Sequence, residues 1–346
     1  MNLDNIKITK FQYAILFLFL FLWLYVRAAP SQMLSFIQTH YLFNYEHEFL
    51  KRGLVGEILR LSFENLNGEI VYNISLFFLI LLSIVFFKLF FIDFNKDTNI
   101  YKLIFSTMVF VSPLTLQHFI YDIGRFDIIN ILITLLSFFI IEKFHKNTFL
   151  VVIFIFPLLN CMLLIYEGSF FMFIPMIFGF WFFKNSKKNT FVIQLIFFLI
   201  ITFITFKIST LGLSTKYTYT EYYNFLTNKY FIFADNIDSK RFFSVRSTAV
   251  EVLYRDLFNT YDPKVPYAIF EDNIRKGFTI KSLVNNLILI ILLSPIFFII
   301  FTIYRGFFKI SDFKTKLFLI TPLSPFVLFI FGYDHMRWWA LIFTNI

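Results

Sequence analysis

Long apolar stretches alternate along this chain with short polar connectors, and the connectors differ in kind. Apolar runs fall at 11–29, 70–92, 102–120, 128–142, 149–166, 169–183, 190–207, 282–304 and 317–333, with a final stub over 338–346. Runs of about 17–25 residues match the hydrocarbon thickness of a bilayer, so the pattern predicts about ten transmembrane helices and an all-α, polytopic membrane protein. The stub allows only about 13 Å of helix, so it either packs on neighbours within the membrane or belongs to a longer chain. The whole of 1–346 reads as one membrane domain, with 208–281 as its large outer loop. The polar MNLDNIKITK is followed by an apolar run too long for a signal-peptide core, with no small-residue cleavage site at the right distance; it reads as a retained first span.

Composition strengthens the membrane reading. The chain is 58% hydrophobic and 15% charged, against about a quarter charged in soluble domains. Its 56 Phe residues accompany abundant Ile, Lys and Asn, as an AT-rich genome produces, and carry no functional weight. The single Cys161 allows no internal disulfide. The net charge of +9 reports topology rather than nucleic-acid binding.

Sorting the connectors alternately separates two chemistries. One set holds Lys7 and Lys10; Lys96 and Lys102; Lys143 and Lys146; Lys184, Lys187 and Lys188; and Arg305, Lys309, Lys314 and Lys316. Short lysine-rich loops mark the cytoplasmic face and put the N-terminus there. The other set is YEHEFLKRGLVGEILR (45–60), YDIGRFD (121–127), YEGS (166–169), the long loop, and YDHMRWW (333–339). Acids, His and Arg concentrate on this outer face.

Each outer motif has a structural and a chemical reading. Leu50, Leu54, Ile58 and Leu61 recur at helical spacing and predict an interfacial amphipathic helix, with Glu48 and Arg52 set for an i,i+4 ion pair. The acids flanking His47, Glu46 and Glu48, are alternatively a base or a divalent-ion site. In YDIGRFD, Asp122 and Arg125 are spaced to staple a turn that Gly124 relaxes, while Asp127 sits where it can cap the next helix. Glu167 has almost no polar neighbour in sequence and needs a cationic partner or a raised pKa. In YDHMRWW, Asp334 can orient His335 as a general base and Arg337 can hold an anion bidentately. Within the long loop, STAVEVLYRDLF (247–258) predicts a short amphipathic helix. Tyr217, Tyr219, Tyr222, Tyr223, Tyr230, Tyr254, Tyr261 and Tyr267 offer faces suited to sugar rings or to a membrane interface.

With about ten spans, a late outer loop, and outward KRGLVGE, DIGRFD and DHMRW, the chain resembles bacterial O-antigen and capsule polysaccharide polymerases of the Wzy type and related membrane glycosyltransferases using lipid-linked sugars. The resemblance implies a bacterial inner-membrane enzyme that transfers glycan from a polyprenyl-pyrophosphate carrier to an acceptor sugar on the periplasmic face. It implies partners in the lipid-linked oligosaccharide, membrane lipid and a chain-length regulator protein, with no nucleic acid. No cofactor is implied, a divalent metal being the alternative. His335, Asp127 and Glu48 then compete as the base, and Arg52, Asp122, Arg125, Glu167, Asp334 and Arg337 line the substrate site. A related class with its acid in the first outer loop favours Glu46 or Glu48. A lipid-linked-sugar flippase is the rival from another class, with Pro113, Pro157, Pro175, Pro295, Pro322 and Pro325 as its candidate helix breaks.

Overall fold

The computed structural model describes residues 10–29, 33, 35–64, 66–89, 100–112, 114–185, 187–213, 216–217, 312–331 and 335–345, with isolated positions between 221 and 308. The regular structure among these residues is helical. Two helices precede the KRGLVGE motif, α1 (Lys10–Ala28) and α2 (Ser35–His40), and α3 (Leu54–Ser62) starts within it. The bundle continues with α4 (Gly68–Phe87), α5 (Ile100–Val111), α6 (Leu116–Tyr121), α7 (Asp127–Phe144) and α8 (Thr148–Ile165). Then come α9 (Ser169–Met172), α10 (Ile174–Lys184), α11 (Lys188–Leu211), α12 (Phe313–Ile320), a 3₁₀ turn (Thr321–Val327), α13 (Leu328–Phe331) and α14 (His335–Asn345).

Three helices, Gly68–Phe87, Thr148–Ile165 and Asn189–Leu211, are long and apolar enough to cross a bilayer. Their starts follow local rules. Asn67 accepts a hydrogen bond from the Ile70 N–H at 2.9 Å and caps α4, and Asn147 accepts from the Leu150 N–H at 3.3 Å and caps α8. The inward faces carry Val71, Leu79, Leu82, Ile155, Leu159 and Ile201, all nearly inaccessible, while Phe77, Phe139, Phe149, Phe203 and Phe206 stand outward. An aromatic, apolar outer surface is what lipid tails accept and water rejects. Small hydroxyls inside the bundle satisfy themselves: Ser75 and Ser83 donate to the Val71 and Leu79 carbonyls one turn back, each at 2.7 Å.

Several predicted single runs are broken. The 102–120 run splits into α5 and α6 around Ser112 to Thr115, where the Thr115 hydroxyl donates to the Val109 carbonyl at 2.5 Å. The 169–183 run is α9 and α10, divided at Phe173 (φ −132°, ψ −33°). The 317–333 run is α12, a 3₁₀ segment and α13, because Pro322 and Pro325 withhold the amide hydrogens a continuous helix requires. The stub is the latter part of α14, with Trp338, Ala340, Leu341 and Ile342 buried and the Asn345 side chain donating to the Met172 carbonyl at 2.9 Å. The run at 282–304 and the amphipathic stretch at 247–258 lie outside the continuously described residues.

Chain direction segregates the connectors to opposite ends. At one end Lys184 meets Glu142 at 2.5 Å, the Asn185 side chain donates to the His145 carbonyl at 2.7 Å, and Phe183 stacks on Phe318. The acid- and arginine-bearing connectors collect at the other. Cysteines introduced singly at Lys146 and Tyr121, with Cys161 replaced, should therefore react with an impermeant maleimide from opposite sides of sealed vesicles. Labelling of both from one side would contradict this bundle.

Candidate functional site

The site begins with a loop folded hard against the bundle. Tyr41, Leu42 and Phe43 are buried, and the Tyr41 hydroxyl donates to the Gly124 carbonyl at 2.7 Å while lying 3.1 Å from the Ser75 hydroxyl. Burial pushes the Tyr41 phenol up to about 12, so it stays protonated and holds YDIGRFD to the first loop. Gly56 explains how α3 comes so close: a β-carbon there would lie 1.9 Å from the Phe43 carbonyl oxygen. Glu57 closes the loop by accepting from the Tyr45 N–H at 3.0 Å and pairing with Arg60 at 2.6 Å.

The predicted helix through Leu50 is shorter than its periodicity suggests. Lys51 and Arg52 form a turn, the Gly53 N–H donating to the Leu50 carbonyl at 3.2 Å, and α3 starts only at Leu54. Leu50 is buried, whereas Ile58 and Leu61 face outward as an interfacial helix requires. Arg52 has φ 67°, a left-handed conformation uncommon for a residue with a β-carbon. Its fork reaches Glu167: Nε and an Nη donate to the two carboxylate oxygens at 2.8 and 2.6 Å. Lys51 Nζ adds a contact to Glu167 at 3.4 Å.

Glu167 thus finds the cationic partner its isolated sequence position demanded. Burial alone would raise its pKa, but the charges of Arg52 and Lys51 and the hydrogen bond from Arg52 outweigh this. They hold the carboxyl well below the usual carboxylate range. A second fork lies nearby. Arg337, from the first turn of α14, donates to both oxygens of Asp127 at 2.6 and 2.7 Å. Asp127, expected as a cap, is instead the buried counterion of a residue 210 positions away.

One ring joins the two pairs. The Arg52 and Arg337 guanidinium carbons lie 4.8 and 4.9 Å from the Tyr166 ring centroid, within cation–π range. The connector carrying Tyr166 and Glu167 is tied to α7 by the Asn130 amide, which donates to the Ser169 hydroxyl at 2.5 Å. The YDIGRFD staple forms as expected: Arg125 Nε lies 2.9 Å from Asp122, Gly124 takes φ 94°, and His118 stands 3.8 Å from the same carboxylate. Among the described residues, these ion pairs set Lys51, Arg52, Arg125 and Arg337 against Asp122, Asp127 and Glu167, four cations to three carboxylates.

Sequence reasoning missed His40. It ends α2 and stacks on Phe126 at 5.8 Å, between Arg125 and Asp127 in the chain. Burial, then the charges of Arg52, Arg125 and Arg337, lower its pKa well below the ordinary 6.5, against a weaker opposing pull from Glu167. The imidazole is neutral at pH 7. Its signal in the sequence was slight, a His ending an amphipathic SFIQTH. Tyr166 and Lys51 were also passed over as site residues.

Other candidates fall differently. Glu48 is half-buried in the first loop, and Glu46 is exposed. Among the described residues no group of three or more His, Cys, Asp or Glu side chains converges as metal ligands, so the Glu46–His47–Glu48 ion site is not formed. His47 meets Tyr217 and Phe225 edge-on at 5.6 and 4.3 Å, and Lys216 donates to the His47 carbonyl at 3.2 Å. Asp334, the His335 side chain and the seven further loop tyrosines lie outside the described residues. No protein-family model, curated protein or solved structure matches the chain.

Proposed function

We propose that this chain is a multi-pass membrane glycosyltransferase, a polymerase of surface-polysaccharide repeat units. In this reading it has about ten spans, a cytoplasmic N-terminus in a bacterial inner membrane, and its charged site on the periplasmic side. It takes a glycan from a polyprenyl-pyrophosphate carrier and transfers it to an acceptor sugar on another lipid-linked unit. The observation that carries the reading is the convergence of Arg52, Arg125 and Arg337, from three distant parts of the chain, at one end of an apolar bundle. Guanidinium forks match phosphate oxygens, and an excess positive charge favours a pyrophosphate that competes with the carboxylates for them. The outward apolar helices provide for the polyprenyl tail. Stabilising the departing pyrophosphate supplies the largest part of the rate.

Analysis of lipid-linked glycans in a deletion strain tests the class. Accumulated single repeat units support a polymerase, whereas carrier trapped on the cytoplasmic side supports a flippase. The flippase remains the second reading because the 3₁₀ segment at Thr321–Val327 interrupts a run otherwise long enough to span. Arg125→Lys sharpens the test, since it keeps the charge but loses the fork. Polymer formation should fall on the order of 100-fold with normal insertion. Full activity would reduce Arg125 to a turn staple for Asp122.

A further inference from the structure

We propose that His40 is the proton acceptor of this site, and that an anion seated against Arg52, Arg125 and Arg337 favours its taking the proton. The inference rests on the pyrophosphate reading above and adds the residue and the trigger.

The placement comes first. His40 is the last residue of α2, stacked on Phe126, and the next residue, Tyr41, hydrogen-bonds to the Gly124 carbonyl. The ring is therefore pinned to the turn that presents Arg125 on one side of Phe126 and Asp127 on the other. Asp127 in turn holds Arg337, and Tyr166 links Arg337 to Arg52 and Glu167. The charged groups acting on the ring come from every connector of the site: Arg52 from the first loop, Arg125 from the turn, Arg337 from α14 and Glu167 from the α8–α9 connector. Lys51, Asp122, Asp127 and His118 lie one bond further into the same network.

Two carboxylates of the site are committed. Both oxygens of Asp127 accept from Arg337, and both oxygens of Glu167 accept from Arg52, which stabilises their ionised forms and weakens them as proton acceptors. His40 has the opposite problem: burial and, after it, three guanidinium charges oppose its protonation, and the charges are the part that a bound anion can remove. A pyrophosphate lying against those guanidiniums cancels the opposing field, and the ring's proton affinity rises when donor arrives. In the transfer step the acceptor hydroxyl oxygen bonds to the anomeric carbon as the bond from that carbon to the pyrophosphate oxygen breaks. The pyrophosphate leaves with the electron pair, and the hydroxyl proton passes to the His40 imidazole. When the anion departs, the field returns and the imidazolium gives its proton to water, which resets the site.

The test is a histidine titration of the full chain in lipid nanodiscs, with ¹⁵N-labelled imidazoles and inorganic pyrophosphate as the probe. His40→Gln identifies the His40 signal among the five histidines, and His40→Asn serves if that variant does not insert. The expected result is a ring that is neutral at pH 7 and whose pKa rises by about one unit or more with pyrophosphate. Binding is read separately from ³¹P line broadening, which Arg125→Ala should reduce. Pyrophosphate that binds without moving His40 overturns the proton-acceptor role and leaves the glycosyltransferase reading standing. Pyrophosphate that does not bind overturns both. In cells, His40→Gln should abolish polymer while ³¹P broadening by pyrophosphate persists; polymer at wild-type level would also overturn the role.

Discussion

Asp127→Asn is expected to lower stability by about 3–5 kcal/mol and to abolish polymer formation. The substitution leaves the Arg337 guanidinium, nine-tenths buried, without its counterion, and removes one of the two charged hydrogen-bond acceptors that orient the fork. Breaking a buried pair from one side is far costlier than replacing both partners, since the cost is an uncompensated charge rather than the lost attraction. The double variant Asp127→Asn, Arg337→Met should therefore recover at least half of the loss, measured by unfolding in detergent. Polymer should not return, because the fork proposed to hold the pyrophosphate is gone. A single variant as stable as wild type would show that the pair is hydrated and contributes little. Recovery of polymer in the double variant would remove Arg337 from the site.

Glu167→Gln should come close behind, at about 3–5 kcal/mol, and should alter the response to acid. Lys51 and Arg52 share this one carboxylate, so neutralising it leaves two adjacent cations repelling each other against the Tyr166 ring. The sign of the pH effect follows from the direction of the shift. Glu167 has a folded pKa depressed below its ordinary 4.5, so the stability it contributes is fully present above that value. It is lost as pH falls from there through the depressed folded value. Wild-type protein should thus begin to lose this stability once pH falls below about 4.5 and go on losing it into strong acid, and Glu167→Gln should flatten that part of the curve while lying lower at pH 7. Parallel curves for the two proteins would mean that another carboxylate governs the acid limb.

These two ion pairs also mark the boundary between what was legible in the sequence and what was not. Helical class and membrane character were legible because both follow from local facts: apolar runs of bilayer length and few charges. The separation of bland lysine loops from acid- and arginine-rich connectors was legible too, since alternating chain direction sends successive connectors to opposite ends. Within one connector the Asp122–Arg125 staple and the positive φ of Gly124 follow from spacing and residue type. Continuity of the spans was less so, because helix breaks at Phe173 and Pro322 depend on how the flanking turns pack.

Partner choice was beyond local reasoning. Arg52 meets Glu167, 115 residues away in the chain, from a left-handed backbone position in the Leu50–Gly53 turn, a pairing no local pattern announces. Asp127 looks like a helix cap, yet it meets Arg337 only because α14 returns the chain to the first turn of α7. His40 carries no motif at all. Its neutrality comes first from burial and then from three arginines that no short window of sequence contains. The amino-acid sequence by itself determined that this is a helical protein with a lipid-compatible surface and charge gathered at one end, because burial and hydropathy act residue by residue. Only the tertiary structure decided which charge neutralises which, because Coulomb energy and desolvation depend on distances across the bundle and not on position along the chain.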